Sequence, residues 1–211
     1  MACGAAAQSF LFARKPMSPI AVIDFETTGV SPGQGARATE VAIVLLERGQ
    51  VVDRFQSLMK TGVWIPSFIT QLTGITNAMV NAAPDAAQVM QDAARFVGDA
   101  PMVAHNASFD ASVLCQACEV DGLETPDLEY VCTRDMAKEL WPLSDYKLPT
   151  VMKAVGKVMV GHHDALADAR AVVAVVDGMR RQLQHVGSLR ELAGALDVQI
   201  KELRRARLRV R

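Results

Sequence analysis

Long hydrophobic runs are absent from this 211-residue chain, and so are internal repeats and low-complexity tracts. No apolar stretch approaches the ~18 residues that a membrane-spanning helix needs, so we expect a soluble, cytoplasmic protein without membrane association. We also expect no secretory signal, because Arg14 and Lys15 follow the apolar residues near the N-terminus, whereas a signal carries its basic residues first. We interpret residues 1–17 as an N-terminal extension.

The net charge is also small, at −1 from 22 basic and 23 acidic residues. This balance excludes a uniformly basic nucleic-acid coat. It leaves nucleic acid open as a substrate, because a protein that holds only the last few nucleotides, partly through bound cations, needs no broad basic surface. The 50% hydrophobic and 21% charged content is that of a globular chain, and the length fits one domain plus terminal extensions.

Cysteine is limited to four residues, which provides no disulfide framework and agrees with a reducing compartment. Cys115 and Cys118 form a C-x-x-C pair, a spacing that zinc sites and redox motifs use. No second pair completes a zinc site, and the two residues lie at helical spacing in an apolar run. A role as small buried side chains is therefore favoured over metal or redox chemistry.

Three β-rich runs open the chain and predict strands at residues 20–25, 40–46 and 51–58. The last two runs are separated by hairpin spacing with Gly49 at the turn, so at least two strands are antiparallel. Further along, apolar spacing predicts helices at residues 84–97, 108–120, 150–156 and 165–183, and strands at 102–105 and 129–133. This order predicts an α/β fold with a mixed five-stranded sheet flanked by helices.

The C-terminal segment, residues 186–211, is basic. Ser188 and Glu191 resemble a capping box, which predicts the start of a last helix. We expect that helix to end in the basic residues Lys201, Arg204, Arg205, Arg207, Arg209 and Arg211. The tail is either a solvated end or a contact for a nucleic acid or an acidic partner.

Two acids lie at the carboxyl end of the first predicted strand. Asp24 and Glu26 have i, i+2 spacing, which puts both side chains on one face of the strand. Crowded carboxylates repel each other and are costly to bury unless a cation neutralises them. In open α/β sheets this edge also binds ligands. The alternative is a pair of solvated loop acids.

Two further acids stand at helix starts. Asp110 lies in the first turn of a helix that begins at the same sheet edge, a position that the helix dipole also favours. Asp168 follows Asp164, a plausible N-cap, by one turn and lies among small residues, so it needs a partner that a shared metal would supply. His162 and His163 precede that helix, and a histidine beside an acid cluster is suited to take a proton near neutral pH.

Carboxylates and a histidine from three separate segments suggest one kind of chemistry. Ligands that are all oxygens favour Mg²⁺ or Mn²⁺ over zinc. Two such ions roughly 3.5–4 Å apart activate a water and stabilise the departing oxygen in phosphodiester hydrolysis. The histidine would deprotonate the attacking water.

With these residues identified, the chain resembles the DEDDh family of 3′→5′ exonucleases, which has a ribonuclease H-like fold. Residues 24–29 match D-x-E-T-T-G, residues 103–110 match the family's second motif, and residues 163–168 match H-x-A-x-x-D. Ile65-Pro66, residues 72–77 and Ala83-Pro84 also look like the family's substrate-side segment. The resemblance covers about residues 18–183 and implies an exonuclease domain at 18–185.

The resemblance implies a role for each matched residue. Metal ligation falls to Asp24, Glu26, Asp110 and Asp168, with His163 as the general base. His163 is preferred to His162 because of its five-residue spacing to Asp168 and because Ala165 falls in register. The implied substrate contacts are Thr27, Thr73, Gly74, Ile75, Asn106 and Phe109.

The expected function is removal of nucleoside 5′-monophosphates from the 3′ end of single-stranded DNA with two Mg²⁺ or Mn²⁺ ions. Within the family, the middle segment is most similar to the epsilon-type proofreading subunits of bacterial DNA polymerase III and their stand-alone relatives, which makes a DNA polymerase a possible partner. The chain departs from them in its N-terminal extension and its short basic C-terminal segment.

Three alternatives stay open at this point. An RNA-trimming exoribonuclease or oligoribonuclease would use the same five residues. A phosphatase or phosphotransferase with Asp24 as nucleophile leaves the His-x-Ala-x-x-Asp group without a role. An inactive nucleic-acid-binding module would be expected to have lost an acid or the histidine, and all five residues are present.

Overall fold

The computed structural model describes residues 19–184 and 187–204, and within these ranges six strands form one mixed sheet in the order β3-β2-β1-β4-β5-β6. The strands are β1 (Ile20–Thr27), β2 (Ala38–Glu47), β3 (Gln50–Leu58), β4 (Met102–Ala104), β5 (Leu128–Cys132) and β6 (Lys201–Leu203). The helices are α1 (Ser67–Thr73), α2 (Asn77–Ala82), α3 (Ala86–Val97), α4 (Ala107–Val120), α5 (Thr133–Leu140), α6 (Leu148–Ala154), α7 (Ala165–Gln182) and α8 (Leu189–Ala195). The predicted α/β class is confirmed.

Strand direction determines which strand ends meet. β1 runs parallel to β4, and β4 runs parallel to β5. β2 is antiparallel to β1 and β3, and β6 is antiparallel to β5. The predicted hairpin between β2 and β3 turns at Arg48 and Gly49, which have φ values of 53° and 79°. Two consecutive positive φ angles are those of the type I′ turn that suits the twist of a hairpin.

Helices cover both faces of the sheet. On one face, Val22 and Val44 pack with Val172 and Val176 of α7. On the other face, alternate strand residues such as Ile23 pack with residues of α3 and α4. β1 is buried along nearly its whole length because each of its faces is covered, which explains its almost continuous apolar sequence.

The C-terminal prediction requires a correction. The capping box at Ser188 and Glu191 is present, but α8 ends at Ala195 and does not reach the basic residues. Asp197 then has a φ of 52°, which breaks the helix, and Lys201 lies in β6. Because β6 hydrogen-bonds to β5, it covers backbone groups that would otherwise form a free edge. The predicted five-stranded sheet therefore has six strands.

Several predictions fall on residues that the structure does not describe. The N-terminal extension at residues 1–17 is among them, as are Arg205, Arg207, Arg209 and Arg211. The domain division at residue 185 stays a prediction. Leu189 and Leu192 of α8 join the same apolar core as α7. In the described part of the chain, no helix is both long and apolar enough to cross a membrane.

Candidate active site

The site lies at the sheet edge where the three parallel strands end. Ala104 at the end of β4 pairs with Cys132 at the end of β5. Glu26, near the end of β1, pairs with Glu40, near the start of the antiparallel β2. The chain thus leaves β1, β4 and β5 at one edge, and the loops and helices that follow them converge there.

Three of the predicted acids come together at this edge. Carboxylate oxygens of Asp24, Glu26 and Asp168 all lie within 4.8 Å of one another. Asp24 and Glu26 project from the same face of β1, and α7 crosses that face. Ala165 and Ala169, on either side of Asp168, are fully buried, and their small side chains let the helix approach the strand closely.

Asp110 supplies the fourth carboxylate and is only 2% exposed. Asn106 precedes α4 in the left-handed conformation, with φ 70° and ψ 41°, which Asn tolerates better than most residues. This turn redirects the chain from β4 into α4, so that Asp110 in the first turn faces β1. A hydrogen bond from the Phe25 backbone reaches its carboxylate.

The carboxylates resist ionisation. Burial, followed by the charges of Asp168 and Glu40, raises the pKa of Glu26 to about 8. Burial raises the pKa of Asp110 to about 7. The pKa of Asp24 lies well above its ordinary value because of burial first and then repulsion from Asp110, Asp168 and Glu26. A cation at this position would favour the charged forms, so the cluster suits a divalent metal.

Two adjacent histidines complete the site. His162 Nδ1 lies 2.9 Å from Asp168 Oδ2 and 3.1 Å from Oδ1. The rings of His162 and His163 stack with centroids 3.8 Å apart. The pKa of His163 is lowered by burial and then by the neighbouring His162. Both histidines and Asp168 can present ligand atoms within 4.8 Å of one another, so either ring is close to the acids.

The predicted substrate contacts occupy three places. Thr27 ends β1 beside the acids, and its hydroxyl donates to the Gly29 carbonyl. The Thr73-Gly74-Ile75 turn ends α1, where the Ile75 N–H donates to the Thr73 hydroxyl at 3.1 Å. Asn106 lies at the start of α4, while the Phe109 ring is half-buried against the apolar core shared with α3. Their binding roles stay predictions.

Three polar residues near this edge escaped prediction. Glu40 is 8% exposed and accepts a hydrogen bond from Gln56 Nε2 at 2.9 Å, and burial raises its pKa. His105 Nδ1 lies 3.0 Å from the Thr133 hydroxyl, and its Nε2 lies 2.8 Å from the Tyr146 carbonyl. Arg134 Nη1 donates to Asn106 Oδ1 at 3.4 Å. The sequence feature that could have indicated Glu40 is an acidic residue at the start of an apolar strand.

Comparison with known proteins identifies the class. A model of the RNase T exonuclease family, described as "Exonuclease", matches residues 21–176. The PolC-type DNA polymerase III of Halalkalibacterium halodurans is 35% identical over 155 residues, which are 73% of this chain and 11% of that protein. The chain therefore belongs to this exonuclease family, and it is a 3′→5′ exonuclease of the DEDDh type.

Solved structures agree on the fold. The nuclease domain of 3′hExo, described as a DEDDh family member bound to rAMP, has a TM-score of 0.72 at 22% identity, covering 89% of this chain and 98% of that one. Exonuclease X in complex with 5′ overhanging duplex DNA has a TM-score of 0.66 at 27% identity, covering 84% and 99%. The predicted ribonuclease H-like fold and enzyme class are confirmed.

Proposed function

We propose that the chain removes nucleoside 5′-monophosphates from the 3′ end of single-stranded DNA with two Mg²⁺ or Mn²⁺ ions. The observation that carries the proposal is the convergence of Asp24, Glu26 and Asp168 within 4.8 Å, with the buried Asp110 beside them. Nothing else in the described chain gathers so many buried carboxylates.

The four carboxylates would hold the ions. Their donors are all oxygens, which Mg²⁺ and Mn²⁺ prefer over softer metals. Bound divalent ions supply an activated water and stabilise the oxygen that departs from phosphorus. The raised pKa values of Glu26 and Asp110 support this assignment, because burial disfavours the charged forms of both groups and a bound cation would favour those forms.

His163 is the proposed general base. Burial and His162 lower the pKa of His163, which favours the neutral ring that is able to accept a proton. His162 differs because its Nδ1 is engaged with the Asp168 carboxylate. In this proposal, His162 orients Asp168 and stacks on His163, and His163 takes the proton from the attacking water.

DNA is the favoured substrate because the relatives include PolC-type DNA polymerases and because Exonuclease X was solved with DNA. RNA is the second candidate, since the similar fold of 3′hExo was solved with rAMP. A DNA polymerase is a proposed partner. This chain spans 11% and 13% of the length of two PolC-type relatives, so the activity of those whole proteins is not assigned to this chain.

The test compares single-stranded DNA, single-stranded RNA and dinucleotides of matched sequence, each with Mg²⁺ and with Mn²⁺. We expect DNA to be shortened from its 3′ end with nucleoside 5′-monophosphates as products, identified by chromatography. Faster turnover of RNA or of dinucleotides would replace the DNA assignment with the ribonuclease one. Absence of any 3′-end hydrolysis would overturn the proposal.

A further inference from the structure

Glu40 is a buried acid outside the predicted catalytic set. It lies near the start of β2, is 8% exposed, and pairs directly with Glu26 on β1. Like charges that face each other across two strands are destabilising, and burial adds to the cost of each charge. A carboxylate at this position therefore costs stability, and a compensating role is expected for it.

The carboxylate of Glu40 links two strands to a helix. In the described chain it is not one of the three acids whose oxygens lie within 4.8 Å of one another. Gln56 Nε2 on β3 donates to Glu40 Oε1 at 2.9 Å. The backbone N–H of Ala165, the first residue of α7, also donates to the Glu40 carboxylate. Glu40 thus joins β3 and β2 to the start of α7.

The start of α7 carries two of the proposed active-site groups. His163 lies two residues before Ala165, and Asp168 lies three residues after it. The chain enters the helix through a φ of 70° at His163, a left-handed conformation that few residues other than Gly and Asn adopt. A contact that fixes Ala165 therefore bears on the position of both groups.

The hydrogen bonds in the first turn of α7 are of two kinds. The Asp164 side chain accepts from the Ala167 N–H at 2.8 Å, which satisfies the helix from within. The bond from Ala165 to Glu40 instead reaches the sheet. Because both oxygens of a carboxylate accept, Glu40 can hold Ala165 and Gln56 at the same time. The first kind of bond stabilises the helix, and the second also sets where the helix begins relative to β2.

We propose that Glu40 is a positioning residue, which holds the start of α7 against β2 and thereby sets where His163 and Asp168 lie relative to the acids of β1. The inference rests on the proposed exonuclease function, because it concerns the general base and one of the carboxylates proposed to bind metal. In this proposal, Glu40 touches neither metal nor DNA and acts through Ala165. Residues that orient a metal ligand change metal affinity or activity by about 10- to 100-fold when they are removed.

The test measures Mn²⁺ binding, by electron paramagnetic resonance of the free ion, together with kcat and KM on single-stranded DNA. The full natural chain is compared with Glu40→Ala, and Asp24→Asn is the reference for loss of the ion. Glu40→Ala should bind Mn²⁺ about 10- to 100-fold more weakly and should lower kcat at a fixed Mn²⁺ concentration, with KM for DNA little changed. Equal Mn²⁺ affinity and equal kcat in the natural chain and Glu40→Ala would overturn the inference.

An exchange of the two side chains tests the hydrogen bonds themselves. Glu40→Gln keeps the size of the side chain but leaves one acceptor oxygen for two donors, so it should lose part of the Mn²⁺ affinity and of kcat. Adding Gln56→Glu should recover most of this loss at unchanged net charge. The reason is that the new amide then donates to the new carboxylate, while its oxygen still accepts from the Ala165 N–H. A double variant no better than Glu40→Gln would overturn the inference.

Ser188→Ala is the control for stability alone. It removes the cap of α8, where the Ser188 hydroxyl accepts from the Glu191 N–H at 3.3 Å. The start of α8 lies away from the acids, because Arg190 forms an ion pair with Glu129 near the start of β5. Ser188→Ala should lower the midpoint of thermal unfolding and leave Mn²⁺ affinity and kcat unchanged. Equal loss of kcat in Ser188→Ala and Glu40→Ala would show that Glu40 only stabilises the fold, which contradicts the inference.

Mn²⁺ binding also separates this inference from the exonuclease proposal, because binding requires no hydrolysis. Weaker Mn²⁺ binding by Glu40→Ala, in the absence of hydrolysis by the natural chain, would contradict the proposed function alone. Hydrolysis by the natural chain, with the same Mn²⁺ affinity and kcat in Glu40→Ala, would contradict the positioning role alone.

Discussion

His162, rather than the motif histidine His163, forms the hydrogen bond to Asp168, at 2.9 Å between Nδ1 and Oδ2, and the two rings stack. This arrangement divides the roles of two residues that the sequence alone can separate only by motif spacing. In the proposed mechanism, the ring of His162 positions Asp168, one of the carboxylates proposed to bind metal. The ring of His163 makes no hydrogen bond to another described residue and is available for water.

The first prediction follows from this division. His163→Ala should lower kcat by about 10²- to 10⁴-fold, because it removes the proton acceptor. His162→Ala should lower kcat less and should instead raise the metal concentration needed for half-maximal activity, since Asp168 loses its positioning partner. The measurement is steady-state hydrolysis of single-stranded DNA across a metal titration. The reverse ranking of the two variants would assign the base to His162.

The second prediction concerns metal removal. EDTA should stop hydrolysis, and Mg²⁺ or Mn²⁺ should restore it. The ions should also raise the midpoint of thermal unfolding, because they bind only the assembled carboxylates. Asp24→Asn should remove most of that rise and should itself stabilise the metal-free protein, since it removes a carboxyl whose ionisation is opposed first by burial and then by the charges of Asp110, Asp168 and Glu26. Metal stabilisation that survives in Asp24→Asn would place the ion elsewhere.

The third prediction is a pH dependence. The pKa of Glu26 is about 8 in the folded chain against an ordinary 4.5, so the folded state holds this proton more tightly than the unfolded state. The contribution of the protonated Glu26 to the unfolding free energy is therefore fully present below pH 4.5 and is lost as the pH rises toward 8. The metal-free protein should lose about 1 kcal/mol of unfolding free energy per pH unit from this group.

Denaturant unfolding in EDTA at pH 6, 7 and 8 measures this slope. Glu26→Gln should make the slope shallower, because the amide does not titrate, while Asp110, whose pKa is about 7, still contributes to the slope. Saturating Mg²⁺ should also flatten the slope, so that metal stabilises the fold more at pH 8 than at pH 6. A metal-free protein that became more stable from pH 6 to pH 8 would contradict the raised pKa.

The fourth prediction concerns His105, which holds neighbouring elements together near the site. His105 ties the end of β4 to α5 and to the loop before α6 through the Thr133 hydroxyl and the Tyr146 carbonyl. His105→Ala should reduce the unfolding free energy by about 1–3 kcal/mol, since it removes a hydrogen-bond partner of the buried Thr133 hydroxyl and of the half-buried Tyr146 carbonyl. Exposed Gln88→Ala on α3 is the control and should cost far less. Equal stability of both variants would mean that the hydrogen bonds of His105 do not contribute to the stability of the fold.

Much of the fold could be predicted from local patterns. β1, β2 and β3 carry β-rich runs long enough to recognise, and α7 presents its apolar stripe over many turns. The short helices α1, α2 and α5 escaped prediction because six to eight residues hold too few turns to show a period. β6 escaped because its three residues pair with β5, far away in sequence, and carry no strand pattern of their own.

Some of the site residues could likewise be predicted from local sequence patterns, and others could not. Asp24, Glu26, Asp110 and Asp168 were predictable because each lies at a recognisable strand or helix end. Glu40 was not, because its proximity to Glu26 depends on the register between β1 and β2, which no local pattern reports. The partners of His105 and Arg134 likewise come from separate segments that only the folded sheet brings together.

The most direct test follows single-stranded DNA labelled at the 5′ end, incubated with Mg²⁺ and either the natural chain or Asp24→Asn. The account predicts a ladder of labelled products that shortens one nucleotide at a time from the 3′ end with the natural chain, and intact DNA with a folded Asp24→Asn. Equal degradation by both proteins, or immediate release of the 5′ label as a mononucleotide, would contradict it.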